Sequence, residues 1–91
     1  MKDKRSKLQI YYDIIVAINQ DKAENEKVSK TRIQQKCNTS YDKLVKYLDE
    51  MEQKGLIQTS QDIEITQRGQ KFFNDYSRVN NLIEEITNRL A

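Results

Sequence analysis

The residues with the most chemical content lie between Lys27 and Lys46. In residues 27–46 six bases, Lys27, Lys30, Arg32, Lys36, Lys43 and Lys46, stand against Asp42 alone, a net charge of +5 in a chain whose total is +2. Lys30, Thr31 and Arg32 follow one serine, and Thr39, Ser40 and Tyr41 lead into Lys43 and Lys46. Hydroxyls at a helix start, with lysines in the first turns, offer amide dipoles, hydrogen-bond donors and positive charge to an oxyanion. This is chemistry for gripping a polyanion, not for breaking a bond. The head, with Lys2, Lys4, Arg5 and Lys7 against Asp3, adds a net +3, whereas residues 8–26 and 47–91 are each net −3. Basic character is thus confined to two segments, as an electrostatic footprint requires.

Other chemistries lack their parts. The chain has no histidine and a single cysteine, Cys37, so no intrachain disulfide and no ordinary metal-ligand cluster is expected. No base is present to activate Cys37, which reads as a small core residue. The two glycines, Gly55 and Gly69, sit at element boundaries and make no phosphate loop. An enzyme is not expected, and neither is a cofactor. No apolar run approaches the roughly 20 residues of a membrane span, and no apolar region follows the charges of the head. The expected location is therefore cytoplasmic.

The elements that must position these residues follow from periodicity. Ser6 opens a capping box in which Gln9 is expected to reach back to the Ser6 amide. Leu8, Tyr11, Ile14, Ile15 and Ile18 then mark the buried face of a helix from Ser6 to about Asn19. The polar "QDKAENEKVS" reads as a long acidic loop or an extension of that helix. Ser29 caps a short second helix, "KTRIQQKC", with Ile33 and Cys37 facing inward. Thr39-Ser40-Tyr41-Asp42 is a further capping signature, and Leu44, Leu48 and Met51 mark the core face of a third helix. Gly55 ends it in the left-handed conformation of a C-terminal cap. Leu56–Thr59 and Asp62–Ile65 are expected as two short strands around Ser60 and Gln61, with Ile63 and Ile65 inward and Glu64 outward. Thr66 caps a last helix running to the end of the chain. The fold class is mainly α with a small β-hairpin: a winged helix-turn-helix over residues 6–70, a basic flexible head at 1–5, and a long C-terminal helix at 71–91.

In a helix-turn-helix the second helix of the pair enters the DNA major groove N-terminus first. With the core direction set by Leu44, Leu48 and Met51, roughly 100° per residue puts Asp42, Lys43 and Lys46 on the outward face near the start. Asp49, Glu50 and Gln53 follow where the helix leaves the groove. Lys30, Thr31 and Arg32 are placed to clamp the phosphate backbone, and Lys2, Lys4, Arg5 and Lys7 to add phosphate contacts. The wing tip carries no base and offers only a hydroxyl or Gln61.

"SKLQIYYDIIVAI", "KTRIQQKCNTSYDKLVKYLDEMEQKGLI" and "IEITQRGQKFF" together resemble the small archaeal winged-helix DNA-binding proteins, among them chromatin-type proteins and transcriptional regulators. Thr31-Arg32-Ile33, Asn38 to Tyr41, Tyr47-Leu48, Gly55-Leu56-Ile57 and Thr66-x-x-Gly69 carry the likeness. The resemblance implies a binder of double-stranded DNA, dimeric through its last helix and associated with the nucleoid. The acidic loop and the wing without cationic residues depart from it.

The tail supports a dimer on its own. Phe72, Tyr76, Val79, Ile83, Ile86 and Leu90 are spaced by 4, 3, 4, 3 and 4 residues, a heptad seam. Antiparallel pairing sets Phe72 against the partner's Leu90, Tyr76 against the partner's Ile86 and Val79 against the partner's Ile83. It also brings Leu82 near its own copy and Asp75 near the partner's Arg89. Parallel pairing gives no such charge match, so an antiparallel coiled coil between two copies is expected. Two functions of different classes fit: a DNA-binding regulator or chromatin protein, and a winged-helix module for protein–protein interaction that does not touch nucleic acid. Whether such a dimer holds one duplex or bridges two stays open.

Overall fold

The computed structural model describes residues 4–90 of the 91-residue chain. Its elements in order are α1 (Lys7–Glu24), α2 (Lys30–Cys37), α3 (Tyr41–Gln53), β1 (Ile57–Gln58), β2 (Glu64–Ile65) and α4 (Gln67–Leu90). Helix α1 packs on α2, α2 on α3, and the antiparallel β1–β2 pair closes the layer, with Ile57 opposite Ile65 and Gln58 opposite Glu64. Ile14, Ile15 and Ile18 of α1, Ile33 and Cys37 of α2, Leu44, Leu48 and Met51 of α3, and Ile57 and Ile63 of the hairpin meet in one core. Val28, Tyr47, Ile65, Phe72 and Phe73 pack at its edge.

Local chemistry sets the boundaries. Ser6 Oγ accepts from the Gln9 amide (3.1 Å), Ser29 Oγ from Arg32 (3.4 Å) and Ser40 Oγ from Lys43 (3.2 Å), so three serines each satisfy one of the four unpaired amides of a helix start. Thr66 does the same for α4, accepting from the Gly69 amide at 3.0 Å. Helix α3 ends as the glycine predicts. Gly55 has φ of 78°, its amide donates to Glu52 O, and the Leu56 amide donates to Met51 O, a Schellman arrangement. Helix α2 ends on Asn38, also left-handed at φ 56°. Gly69 answers to a close approach: a Cβ there would stand 2.1 Å from Leu56 O and 2.9 Å from Ile65 Cγ2.

Of the two readings of the polar segment after Asn19, the extension holds: α1 runs on to Glu24, because Asp21 is fully buried and anchored by tertiary contacts, and the loop to α2 is correspondingly short. Four expectations are corrected. Leu8 is 53% exposed and outside the core, since no element covers that side of the first turn. Gln9 does not reach back to Ser6. Its Nε2 donates to Asp13 (2.8 Å), and its Oε1 accepts from the Tyr76 hydroxyl (3.1 Å), tying α1 to α4. The strands are two residues each, because the Leu56 amide is taken up by Met51 O in the α3 cap; its carbonyl still accepts from Thr66, the residue opposite it in the register, but the pair is not completed. Glu50 does not face water: it is half-buried and accepts from the Tyr11 hydroxyl at 2.7 Å and from Lys7 at 3.3 Å.

Candidate nucleic-acid interface

The candidate interface would be built on the starts of α2 and α3, which the core holds in fixed relation. Ile33 and Cys37 anchor α2, and Leu44, Leu48 and Met51 anchor α3, so the outward faces of both helices are set by buried neighbours. Lys30 and Thr31 are exposed at the start of α2. Ser40, Tyr41, Lys43 and Lys46 are exposed over the first turns of α3, with Asp42 among them. Lys30, Lys43 and Lys46 form no ion pair among the described residues. Asp42, the acid in the first turn, complements the positive end of the helix dipole.

Arg32 has an internal partner. Its guanidinium turns away from the α2 tip toward Asp21, with Nε donating to Oδ1 at 2.6 Å and Nη2 to Oδ2 at 3.1 Å. Nη2 also donates to the Lys27 carbonyl at 2.6 Å. Asp21 further accepts from the Ser29 amide (3.0 Å) and from Asn25 Nδ2 (3.2 Å). Four donors on a carboxylate whose side chain has no exposure make a knot that fastens the end of α1, the connecting loop and the cap of α2. The hydrogen bond from Arg32 lowers the Asp21 carboxyl below the usual carboxylate range despite burial. Arg32 thus frames the α2 start and is not a free phosphate clamp.

Further expected contacts are drawn inward. Thr39 Oγ1 is buried and has no hydrogen-bond partner, so that hydroxyl is not presented; Ser40 caps α3 instead. Arg5 Nη1 donates to Asp13 (2.9 Å) and to the Cys37 carbonyl (3.1 Å) at the end of α2, and Lys7 pairs with Glu50. Of the head, Lys4 is exposed, and Lys2 lies outside the described residues. Lys36 pairs with Glu24 at 3.6 Å, so internal acids offset part of the central positive charge.

The wing is short. Gln61 is exposed at its tip, the Thr59 hydroxyl donates to Glu52 (2.6 Å), and Asp62 accepts from the Val28 amide (3.2 Å), which pins the wing to the loop before α2. A family model for the winged helix-turn-helix matches residues 4–84. The chain belongs to the winged helix-turn-helix family. No curated relative matches it. For a winged helix-turn-helix, α3 is the recognition helix and the family assignment is that of a DNA-binding regulator type.

Two residues beside this candidate site are not singled out by the sequence. Asp21 was hidden in a polar run. Val45, 39% exposed on the flank of the recognition helix four residues after Tyr41, carries no charge and so escapes a reading by charge. Its apolar side chain at roughly 100° from the core direction was the available signal. Among the described residues no group of acids, cysteines or histidines is placed to hold a metal, and no helix is long and apolar enough to cross a membrane.

Helix α4 divides into two parts. Phe72 and Tyr76, the first two residues of the heptad seam, are half-buried against their own domain. The Tyr76 ring lies 5.2 Å from Tyr12 and 5.6 Å from Phe72, and its hydroxyl is bound to Gln9. Beyond them Val79, Leu82, Ile83, Ile86 and Leu90 are 49–82% exposed along one side of the helix.

Proposed function

We propose that the protein is a homodimeric regulator or chromatin-architectural protein that binds double-stranded DNA through the N-terminal turns of α3 and α2. The observation that carries this reading is that Lys30 at the start of α2 and Lys43 and Lys46 in the first turns of α3 are exposed and form no ion pair among the described residues, in a chain of this family. Lys43 and Lys46 approach the groove and its phosphates, Lys30 and Thr31 the neighbouring backbone, and Ser40 and Tyr41 the sugar or base edge. Gln61 extends the contact from the wing. Arg32 acts by holding the α2 tip through Asp21, and Thr39 by setting the entry to α3.

The exposed stripe from Val79 to Leu90 supports dimerisation, because five aliphatic side chains on the solvent side of one helix are costly without a partner. Antiparallel pairing places the partner's Leu90 over the outward side of Phe72 and the partner's Ile86 over Tyr76, rings that are half-buried and so retain a free edge. The winged domains then sit at opposite ends of a rod and reach two sites on one duplex or two duplexes.

A salt titration of binding to a random-sequence duplex tests the reading. Affinity falls steeply with salt, with a slope of about −0.9 per phosphate neutralised. The Lys43→Ala/Lys46→Ala variant loses about 1.8 of that slope per bound winged domain. Duplex binding indifferent to salt, or none, refutes it. A second reading, a protein-interaction module, draws on the apolar groove of about 450 Å³ formed by Leu8, Tyr11, Leu56 and Phe72. It predicts loss of partner binding, not of duplex binding, on Leu8→Glu substitution.

A further inference from the structure

Exposed large apolar side chains in the described residues fall into three places. Five line α4 from Val79 to Leu90, and Leu8 borders the groove at Phe72. The remaining two, Tyr41 at 44% and Val45 at 39% exposure, stand alone on α3. Four residues apart, they are neighbours on one side of the helix. Neither belongs to the core, which takes Leu44, Leu48 and Met51; at roughly 100° per residue the pair lies on the flank of that face, where it stays open to solvent. Folding gives no reason for them: a β-branched residue within a helix is a weaker helix former than lysine, glutamate or alanine, and its exposed methyls gain nothing in water. Lys46 lies one step further round the helix, so the apolar pair sits beside a cation suited to the phosphate backbone.

We propose that Tyr41 and Val45 form an apolar reader for thymine methyl groups in the major groove. The inference rests on the DNA-binding reading and adds to it a base preference. The thymine C5-methyl is the one apolar feature of the major-groove edge, and apolar side chains on an inserted helix are its natural contacts. The lysines give position and affinity without sequence information. The tyrosine–valine pair then favours registers in which thymine faces the start of α3. A sequence-tolerant binder built this way prefers A·T-containing DNA through methyl burial, with no need of a cationic wing in the minor groove.

The test compares two duplexes, one of alternating dA and dT and one identical except that every dT is replaced by dU. The exchange removes the methyl groups and leaves every hydrogen-bonding edge unchanged. Burial of one methyl corresponds to roughly a fourfold change in affinity, so the protein binds the dT duplex between about threefold and tenfold more tightly. The Val45→Ala variant loses most of that preference, and Tyr41→Ala/Val45→Ala binds both duplexes equally. Both side chains are exposed, so the helical circular dichroism of each variant stays that of the wild type. Equal wild-type affinity for the two duplexes overturns the methyl reader and leaves the DNA reading standing, as does a preference that survives in the double variant. Binding to neither duplex overturns both.

Discussion

Asp21→Asn is the substitution from which most can be learned, because it changes one atom type inside the knot that frames α2. In the native carboxylate Oδ1 accepts from Arg32 Nε and Asn25 Nδ2, and Oδ2 accepts from Arg32 Nη2 and the Ser29 amide. An asparagine replaces one oxygen with an NH2 group, and whichever way it turns, that group faces two donors. Nothing wets the site, since the Asp21 side chain has no exposure. Breaking a buried charge pair costs about 3–5 kcal/mol. The partner guanidinium is 41% exposed and recovers some hydration, so the lower end, about 3 kcal/mol, is expected for Asp21→Asn. Against the 5–15 kcal/mol that typically holds a domain, that is a large loss.

The same carboxyl sets an acid dependence. Its folded-state pKa lies below the ordinary value, so the unfolded chain binds the proton first. Its stabilisation is complete above about pH 4 and is lost as pH falls through the folded-state value. Urea unfolding followed by circular dichroism, from pH 7 down to pH 3, measures both effects. The variant loses its stability at neutral pH and shows a shallower decline in acid. A variant within about 0.5 kcal/mol of wild type, or one with an unchanged acid profile, refutes the assignment of this knot as a structural anchor.

Further outcomes follow from other contacts. Gly69→Ala destabilises the domain by about 1–3 kcal/mol although alanine is the better helix former by about 1 kcal/mol, because its Cβ would overlap the Leu56 carbonyl; a gain in thermal stability contradicts this. Burial, reinforced by Glu50, pushes the Tyr11 phenol up to about 12. Stability conferred by its protonated form is therefore complete below about pH 10 and is lost as pH rises toward 12; Tyr11→Phe removes that alkaline decline in urea titrations. Burial also pushes the Cys37 thiol up to about 11, so its labelling by a disulfide reagent at neutral pH follows the opening rate of the fold, and labelling at the rate of a free thiol contradicts its packing. Val79→Asp/Ile83→Asp yields a folded monomer in sedimentation velocity, and an unchanged dimer mass refutes the α4 interface.

What the sequence disclosed and what it withheld divide along the range of the interactions. Ser6, Ser29 and Thr66 cap helices through bonds to amides three residues away, and Gly55 closes α3 through its own backbone, so these four were legible locally. The capping signature at α3 was legible too, but one residue early, since Ser40 and not Thr39 is the cap. The inward faces of α2 and α3 were legible because their period is that of the helix. The end of α1 was not, since Asp21 is buried by virtue of Arg32, a residue of another helix. Leu8 kept the period but lacked a facing element. The first strand starts late because the Leu56 amide serves the α3 cap. At the interface, counting charges found Lys30, Lys43 and Lys46 but could not tell that Arg32, Arg5 and Lys7 had partners elsewhere in the chain.

The central claim is that the start of α3, with the start of α2, meets duplex DNA. Backbone amide NMR spectra recorded while a duplex is added test it residue by residue. The account predicts shifts concentrated at Lys30, Thr31 and Ser40 to Lys46, a weaker effect at Gln61, and none at Leu8, Leu56 or Phe72. Shifts centred on that apolar groove, or an unaltered spectrum at a saturating concentration of duplex, would contradict it.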